Sequence, residues 1–132
     1  LPSEETHVQQ ACHNRRLART ISRSDYPDWA ATVIFYAAVH YVEAVLARHA
    51  APPDDQPSSH ADRMRAMNND LRHFTKRVRR CYRRLLDKSH DARYEDWRSL
   101  GGFAQSDISA LYLGALVPLA REMRKALRQR PT

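Results

Sequence analysis

Between Pro27 and Arg48 the apolar residues fall on two adjoining helical stripes. Trp29, Val33, Tyr36, His40 and Val45 recur at three-, four- and five-residue steps, and Ala30, Ile34, Ala37, Tyr41 and Ala44 form a second series beside them. Stripes of this period specify an α-helix, and two of them leave little of its circumference polar. Such a helix is stable in water only if other elements cover it, so it belongs at the centre of a bundle. Asp25 is its expected N-cap and Asp28 lies three residues on. Pro27 is tolerated in a first turn, where the N–H it lacks would have no helical partner. At 1.5 Å per residue the helix should reach roughly 35 Å. The apolar run from Trp29 to Val42 is interrupted by Thr32 and His40. It is shorter than the roughly 20 residues that cross a bilayer, so it reads as a core helix and no membrane contact is expected.

The rest of the chain supplies partners of the same kind. Only three glycines occur in 132 residues, too few for a sheet-rich fold with many tight turns, while alanine, leucine and arginine favour helix. The expectation is an all-α, up-and-down bundle of four to five helices, folded as one domain over residues 1–132. A first helix is expected from Ser3, its N-cap, to Ile21. Its apolar positions are sparse (Val8, Ala11, Leu17, Ala18, Ile21), which suits an edge position. Residues 50–58 carry Pro52, Pro53, Asp54, Asp55 and Pro57 and read as a flexible loop. Ser59 with Asp62 resembles a capping box for the next helix, with a break near Asn68-Asn69-Asp70. A further helix is expected from Leu71 to Lys88, followed by a polar, irregular stretch from Ser89 to Leu100, in which Ala92 to Trp97 can form a helical turn. Gly101-Gly102 marks a break. The last helix should run from Ser106 to about Gln129 and bend at Pro118, which removes a backbone bond and crowds the preceding turn.

Charge is concentrated in one element. The segment from Leu71 to Lys88 holds Arg72, Lys76, Arg77, Arg79, Arg80, Arg83, Arg84 and Lys88 against Asp87 alone, so its net charge equals the +7 of the whole protein. Its apolar stripe is Leu71, Phe74, Val78, Cys81, Tyr82 and Leu85. Phe74 and Tyr82 therefore belong to the core rather than to a base-stacking surface. Cations spaced along an exposed helix suit phosphate contact, and Arg72, Lys76, Arg79, Arg80 and Arg83 are the candidate nucleic-acid-binding set. The bland alternative is a solvated face of a basic protein.

Other chemistry is weakly signalled. Cys12 and Cys81 form no C-x-x-C pair, so no disulfide framework is expected. With no secretory signal in view, a reducing cytoplasm is the expected location. Cys81 falls on the apolar stripe and should be inert. Cys12 precedes His13, but adjacent helical residues diverge by about 100° and make no dyad. Among seven histidines there is no H-E-x-x-H, and only Asp70 and His73 have the acid–histidine spacing of a di-metal bundle, once where two are needed. No metal and no cofactor are expected. His40 reads as a core histidine with one hydrogen-bond partner, and His60 with Arg63 as packing or capping chemistry.

Several segments resemble a bacterial branch of the HEPN domain family. They are Tyr26-Pro27-Asp28-Trp29-Ala30, Phe35 to Ala44, Ser59-His60-Ala61-Asp62-Arg63, Tyr82-Arg83-Arg84-Leu85, and Ser89-His90-Asp91-Ala92-Arg93-Tyr94, spread over about residues 8 to 95. The resemblance implies a helical bundle and an RNA-directed domain. Many HEPN domains are metal-independent endoribonucleases of toxin or defence type, with an arginine, four to six residues, then a histidine, paired across a homodimer. Arg84 and His90 fit with five intervening residues, and Arg83 and His90 with six. The resemblance implies Arg84 holding the scissile phosphate and His90 moving the 2′-hydroxyl proton. Catalytic members usually place a polar residue directly after the arginine, where this chain has Leu85. Other HEPN domains are binding modules without chemistry, docking nucleic acid, a nucleotide, or a nucleotidyltransferase or antitoxin partner. A catalytic pair facing its dimer mate would favour the nuclease, and a pair splayed apart the module.

Overall fold

The computed structural model describes residues 3–21, 25–49, 59–94 and 105–131. Six α-helical stretches follow one another: α1 (Glu4–Ile21), α2 (Pro27–His49), α3 (His60–Asn68), α4 (Lys76–Tyr94), α5 (Gln105–Leu111) and α6 (Val117–Arg128). A π-helical turn, Tyr112–Leu116, joins α5 to α6 in one C-terminal rod. The described residues contain no strand, so the protein is an all-α bundle of five helical rods. The loop expected at residues 50–58 and the break at Gly101-Gly102 lie outside the described residues.

Local chemistry sets most of the boundaries. Ser3 caps α1, its Oγ accepting the Thr6 N–H at 3.2 Å. Ser59 caps α3 by accepting the Asp62 N–H at 3.1 Å. The α2 cap falls at Tyr26, whose carbonyl accepts the Ala30 N–H at 3.0 Å, one residue later than the expected Asp25. After α3 the chain does not restart at Leu71 as expected. The Asp70 carboxylate accepts the His73 N–H at 3.3 Å and meets His73 Nδ1 at 2.8 Å, a local turn that competes with helix. His73 is tied in addition to Gln129 at 3.0 Å, and Phe74 is fully buried, so the turn is anchored and α4 begins at Lys76.

The far end of α4 also departs from expectation. The stretch expected to be irregular from Ser89 is helical to Tyr94, because Ser89 and Ala92 extend the buried stripe of Val78, Cys81, Tyr82 and Leu85 by one more turn. Trp97 lies outside the described residues. In the C-terminal rod the disturbance expected at Pro118 takes the form of the π-turn just before it, with the Val117 N–H reaching back to the Tyr112 carbonyl. A wider turn draws the preceding carbonyls away from the pyrrolidine ring, relieving the clash that proline brings to a regular helix.

Helix α2 is the hub. It packs against α1, α4 and the C-terminal rod, and α1 lies at the edge. The stripe of Ala30, Ile34, Ala37, Tyr41 and Ala44 is buried throughout, whereas in the other stripe Trp29 is 61% exposed and Tyr36 lies at the surface. The Arg93 guanidinium rests over the Tyr36 ring and donates to its hydroxyl at 2.9 Å. At 23 residues α2 is long and apolar enough to cross a membrane by length and composition, which corrects the expectation that the run is too short. Most of that apolar stretch is buried inside the bundle. Phe35, Tyr41, Tyr82, Ile108, Leu116, Leu119 and Met123 fill the core. The apolar face of the C-terminal rod is covered within the one chain, and its large exposed apolar residue is Leu113.

Candidate nucleic-acid interface

Helix α4 presents its buried face to α2, so its cations divide between two flanks. Lys76, Arg77, Arg80 and Arg84 line the groove toward the C-terminal rod. Arg79, Arg83 and His90 occupy the adjoining arc outside it, Arg83 only about 20° from Lys76 around the axis at 100° per residue. The groove has a volume of about 350 Å³, with Cys81 and Gly114 completing its lining. No described residue forms an ion pair or hydrogen bond with any of its four cations. Gly114, in the π-turn, leaves room for Arg84: a Cβ there would stand 3.3 Å from Arg84 Nη1. At the floor, burial pushes the Cys81 thiol up, against the pull of Arg77 and Arg84, so it stays protonated.

The adjoining arc is more committed. Arg79 donates to Asn68 Oδ1 at 3.3 Å and Arg83 lies 3.6 Å from Asp87 in an exposed pair. The five residues expected to bind phosphate are thus separated. Lys76 and Arg80 share the groove, Arg79 and Arg83 are not part of its lining, and Arg72 is exposed in the turn before α4. Arg77 and Arg84 join the groove, which the sequence could have suggested through their spacing of seven residues.

His90 is an exposed residue within α4 rather than in a turn folding back from its end, because the helix continues to Tyr94. Arg84 and His90 therefore leave the same helix about 120° apart, on different flanks. Arg83 and His90, seven residues apart, share a flank to within about 20°.

His40, expected in the core, is only half-buried, and it joins a polar network with the buried His7 and the half-buried His60. His7 Nδ1 and His40 Nδ1 are 3.1 Å apart, so one donates and the other accepts. Burial lowers both pKa values. Glu43 partly opposes this at His7, while His7 and Arg63 add to it at His40. Glu43 and Arg63, both buried, pair at 2.7 Å. Arg63 Nη1 also donates to His60 Nδ1 at 2.8 Å and to the Tyr82 hydroxyl at 3.2 Å. An arginine only donates, so His60 must offer a lone pair at Nδ1. Burial, then Arg63 and Arg93, hold its pKa down accordingly. The sequence pairing of His60 with Arg63 is met, but the Glu43 carboxylate that makes it a buried ion pair was not anticipated. Asp70 and His73 bond to each other, and no group of three or more His, Cys, Asp or Glu converges among the described residues. Both cysteines are free.

Neither a protein-family model nor a curated protein matches this chain.

Proposed function

We propose that this chain is an RNA-directed, HEPN-like helical domain that binds RNA phosphates in the groove between α4 and the π-turn, as a binding module. The observation that carries this reading is the set of four cations, Lys76, Arg77, Arg80 and Arg84, gathered around one groove without a carboxylate partner among the described residues. Uncompensated cations at groove spacing favour a polyanion, because each phosphate contact releases condensed counterions. The wide separation of Arg84 from His90 favours the module over a nuclease. The same reading takes the domain to be cytoplasmic and homodimeric, with a nucleotidyltransferase or antitoxin protein as a further partner. Leu113, 67% exposed beside the groove, supports a protein contact there. Fluorescence anisotropy of a labelled single-stranded RNA tests the core of the proposal. Arg80→Glu with Arg84→Glu should abolish binding in a folded protein, and unchanged binding would reject it.

The metal-independent endoribonuclease is a second reading, favoured by one observation. Arg83 and His90 share a flank two helical turns apart, so an RNA phosphate and its neighbouring ribose can lie along it, with a second chain completing the site. Cleavage in chelator, leaving 2′,3′-cyclic phosphate ends, would be lost in both Arg83→Ala and His90→Ala. Absence of cleavage by the wild-type dimer would remove this reading and leave the binding module.

A further inference from the structure

Away from α4, three arginines converge on two tyrosine hydroxyls in the cleft between α1 and the C-terminal rod. Arg15 donates from Nε to the Tyr112 hydroxyl at 3.0 Å and from Nη1 to the Tyr41 hydroxyl at 3.5 Å. Arg19 donates from Nε to the same Tyr112 oxygen at 2.8 Å, and Arg124 from Nη2 to Tyr41 at 3.4 Å. Tyr41, on α2, forms the floor and is 1% exposed; Tyr112, in the π-turn, is 9% exposed. Arg19 and Arg124 reach the surface at the mouth.

The hydrogen-bond inventory of this cleft is lopsided. Each phenol oxygen accepts from two guanidiniums, which occupies both lone pairs, and neither phenol proton has an acceptor among the described residues. Arg15 keeps Nη2 uncommitted, and Arg124 keeps Nε and Nη1. On the same helices, Glu4 pairs with Arg48 at 3.2 Å, Glu122 with Lys125 at 3.4 Å, and Glu43 with Arg63. Burial would push the Arg15 guanidinium down, but its bonds to Tyr41 and Tyr112 outweigh that and leave it raised, so the half-buried cation is permanent. A surplus of convergent donors around a cation cluster calls for an acceptor of several oxygens and more than one negative charge. A carboxylate offers two oxygens and one charge, whereas a phosphate monoester or diphosphate offers more of both.

We propose that Arg15, Arg124, Tyr41 and Tyr112 form a second, separate site that binds a terminal phosphate group, with the Arg15 and Arg124 guanidiniums gripping its oxygens, the phenols donating from below, and Arg19 holding the Tyr112 hydroxyl in place. The site stands independently of any role for α4. Its phosphate can belong to a small phosphate compound or to the end of an RNA chain.

Isothermal titration of the full chain with inorganic pyrophosphate tests the proposal. The wild type should bind one equivalent. Tyr112→Phe, which keeps the ring in the core, and Arg15→Gln should each weaken binding about tenfold or more, the range for hydrogen bonds to charged groups. Arg121→Gln, an exposed position on α6 outside the cleft, should leave it unchanged. Thermal denaturation of each variant reports whether it folds. A wild type that takes up no pyrophosphate, or affinity that survives in both Tyr112→Phe and Arg15→Gln, overturns the proposal, as does equal weakening by Arg121→Gln. A second arm compares RNA bearing a 5′-phosphate with RNA bearing a 5′-hydroxyl. Tighter binding of the phosphorylated end that disappears in Tyr112→Phe supports the site with an RNA end as its source. Equal binding of the two RNAs, with pyrophosphate still bound through Tyr112, supports it with a small compound as the source.

Discussion

Arg84 and His90 leave different flanks of α4, about 120° apart around its axis and roughly 9 Å along it. Arg84 faces the groove beside Gly114, and His90 shares its flank with Arg79 and Arg83. Binding and any histidine chemistry are thereby separable. Arg84→Ala should weaken single-stranded RNA binding severalfold, whereas His90→Ala should leave it unchanged in the same anisotropy titration. Equal weakening by both would mean that RNA does not distinguish the flanks.

Gly114 offers a test of groove shape. A Cβ at this position meets the flexible end of Arg84 rather than backbone, so Gly114→Ala should fold. It should gain about 0.5–1 kcal/mol of stability from the reduced freedom of the unfolded chain. By displacing the Arg84 guanidinium it should also lower RNA affinity. Denaturant unfolding and anisotropy on one variant would show the opposed changes, and a loss of stability would place the packing at Gly114 closer than described.

The Glu43–Arg63 pair should matter to folding more than any surface ion pair. Both partners are buried, and Arg63 also bonds His60 and Tyr82. Glu43→Ala strands a buried guanidinium and should cost about 3–5 kcal/mol in urea unfolding. Exposed Arg83–Asp87 serves as the contrast, with an expected loss below about 1 kcal/mol for Asp87→Ala.

Stability should depend on pH through His7, His40 and His60, whose pKa values all lie below the ordinary 6.5 in the folded chain. The unfolded chain takes up protons first as pH falls below 6.5, so the folded state loses stability from there downward through the folded pKa values, and is indifferent to these groups above it. The urea midpoint should therefore be flat above about pH 7 and drop toward pH 5. His40→Gln, which keeps a neutral polar group, should reduce the drop. A midpoint that rises on acidification would contradict the neutral, part-buried His7–His40 pair.

The bundle was legible because its signals are local and periodic. The Ser3 and Ser59 caps, the α2 stripes and the buried stripe of Val78, Cys81, Tyr82 and Leu85 all follow from spacing. The misjudged points depend on partners distant in sequence. The turn before Lys76 is held by Gln129, and α4 extends to Tyr94 because Ser89 and Ala92 find cover in the bundle. The concentration of cations on one helix could be read directly, but their division between flanks required knowing where α2 and the C-terminal rod lie. Arg15, Arg19 and Arg124 were invisible as a group, since α1 and α6 are brought together only by their common packing on α2.

The most direct test of the groove is the salt dependence of single-stranded RNA affinity in the wild type, Arg80→Gln/Arg84→Gln and Arg79→Gln/Arg83→Gln. Each phosphate contact contributes about 0.7 to the slope of log affinity against log salt for single strands. Removing Arg80 and Arg84 should therefore shallow the slope by about 1.4. Removing Arg79 and Arg83 subtracts the same formal charge from outside the groove lining and should leave the slope near the wild-type value. Equal slopes for the two double variants would contradict the assignment of RNA to the groove beside Gly114.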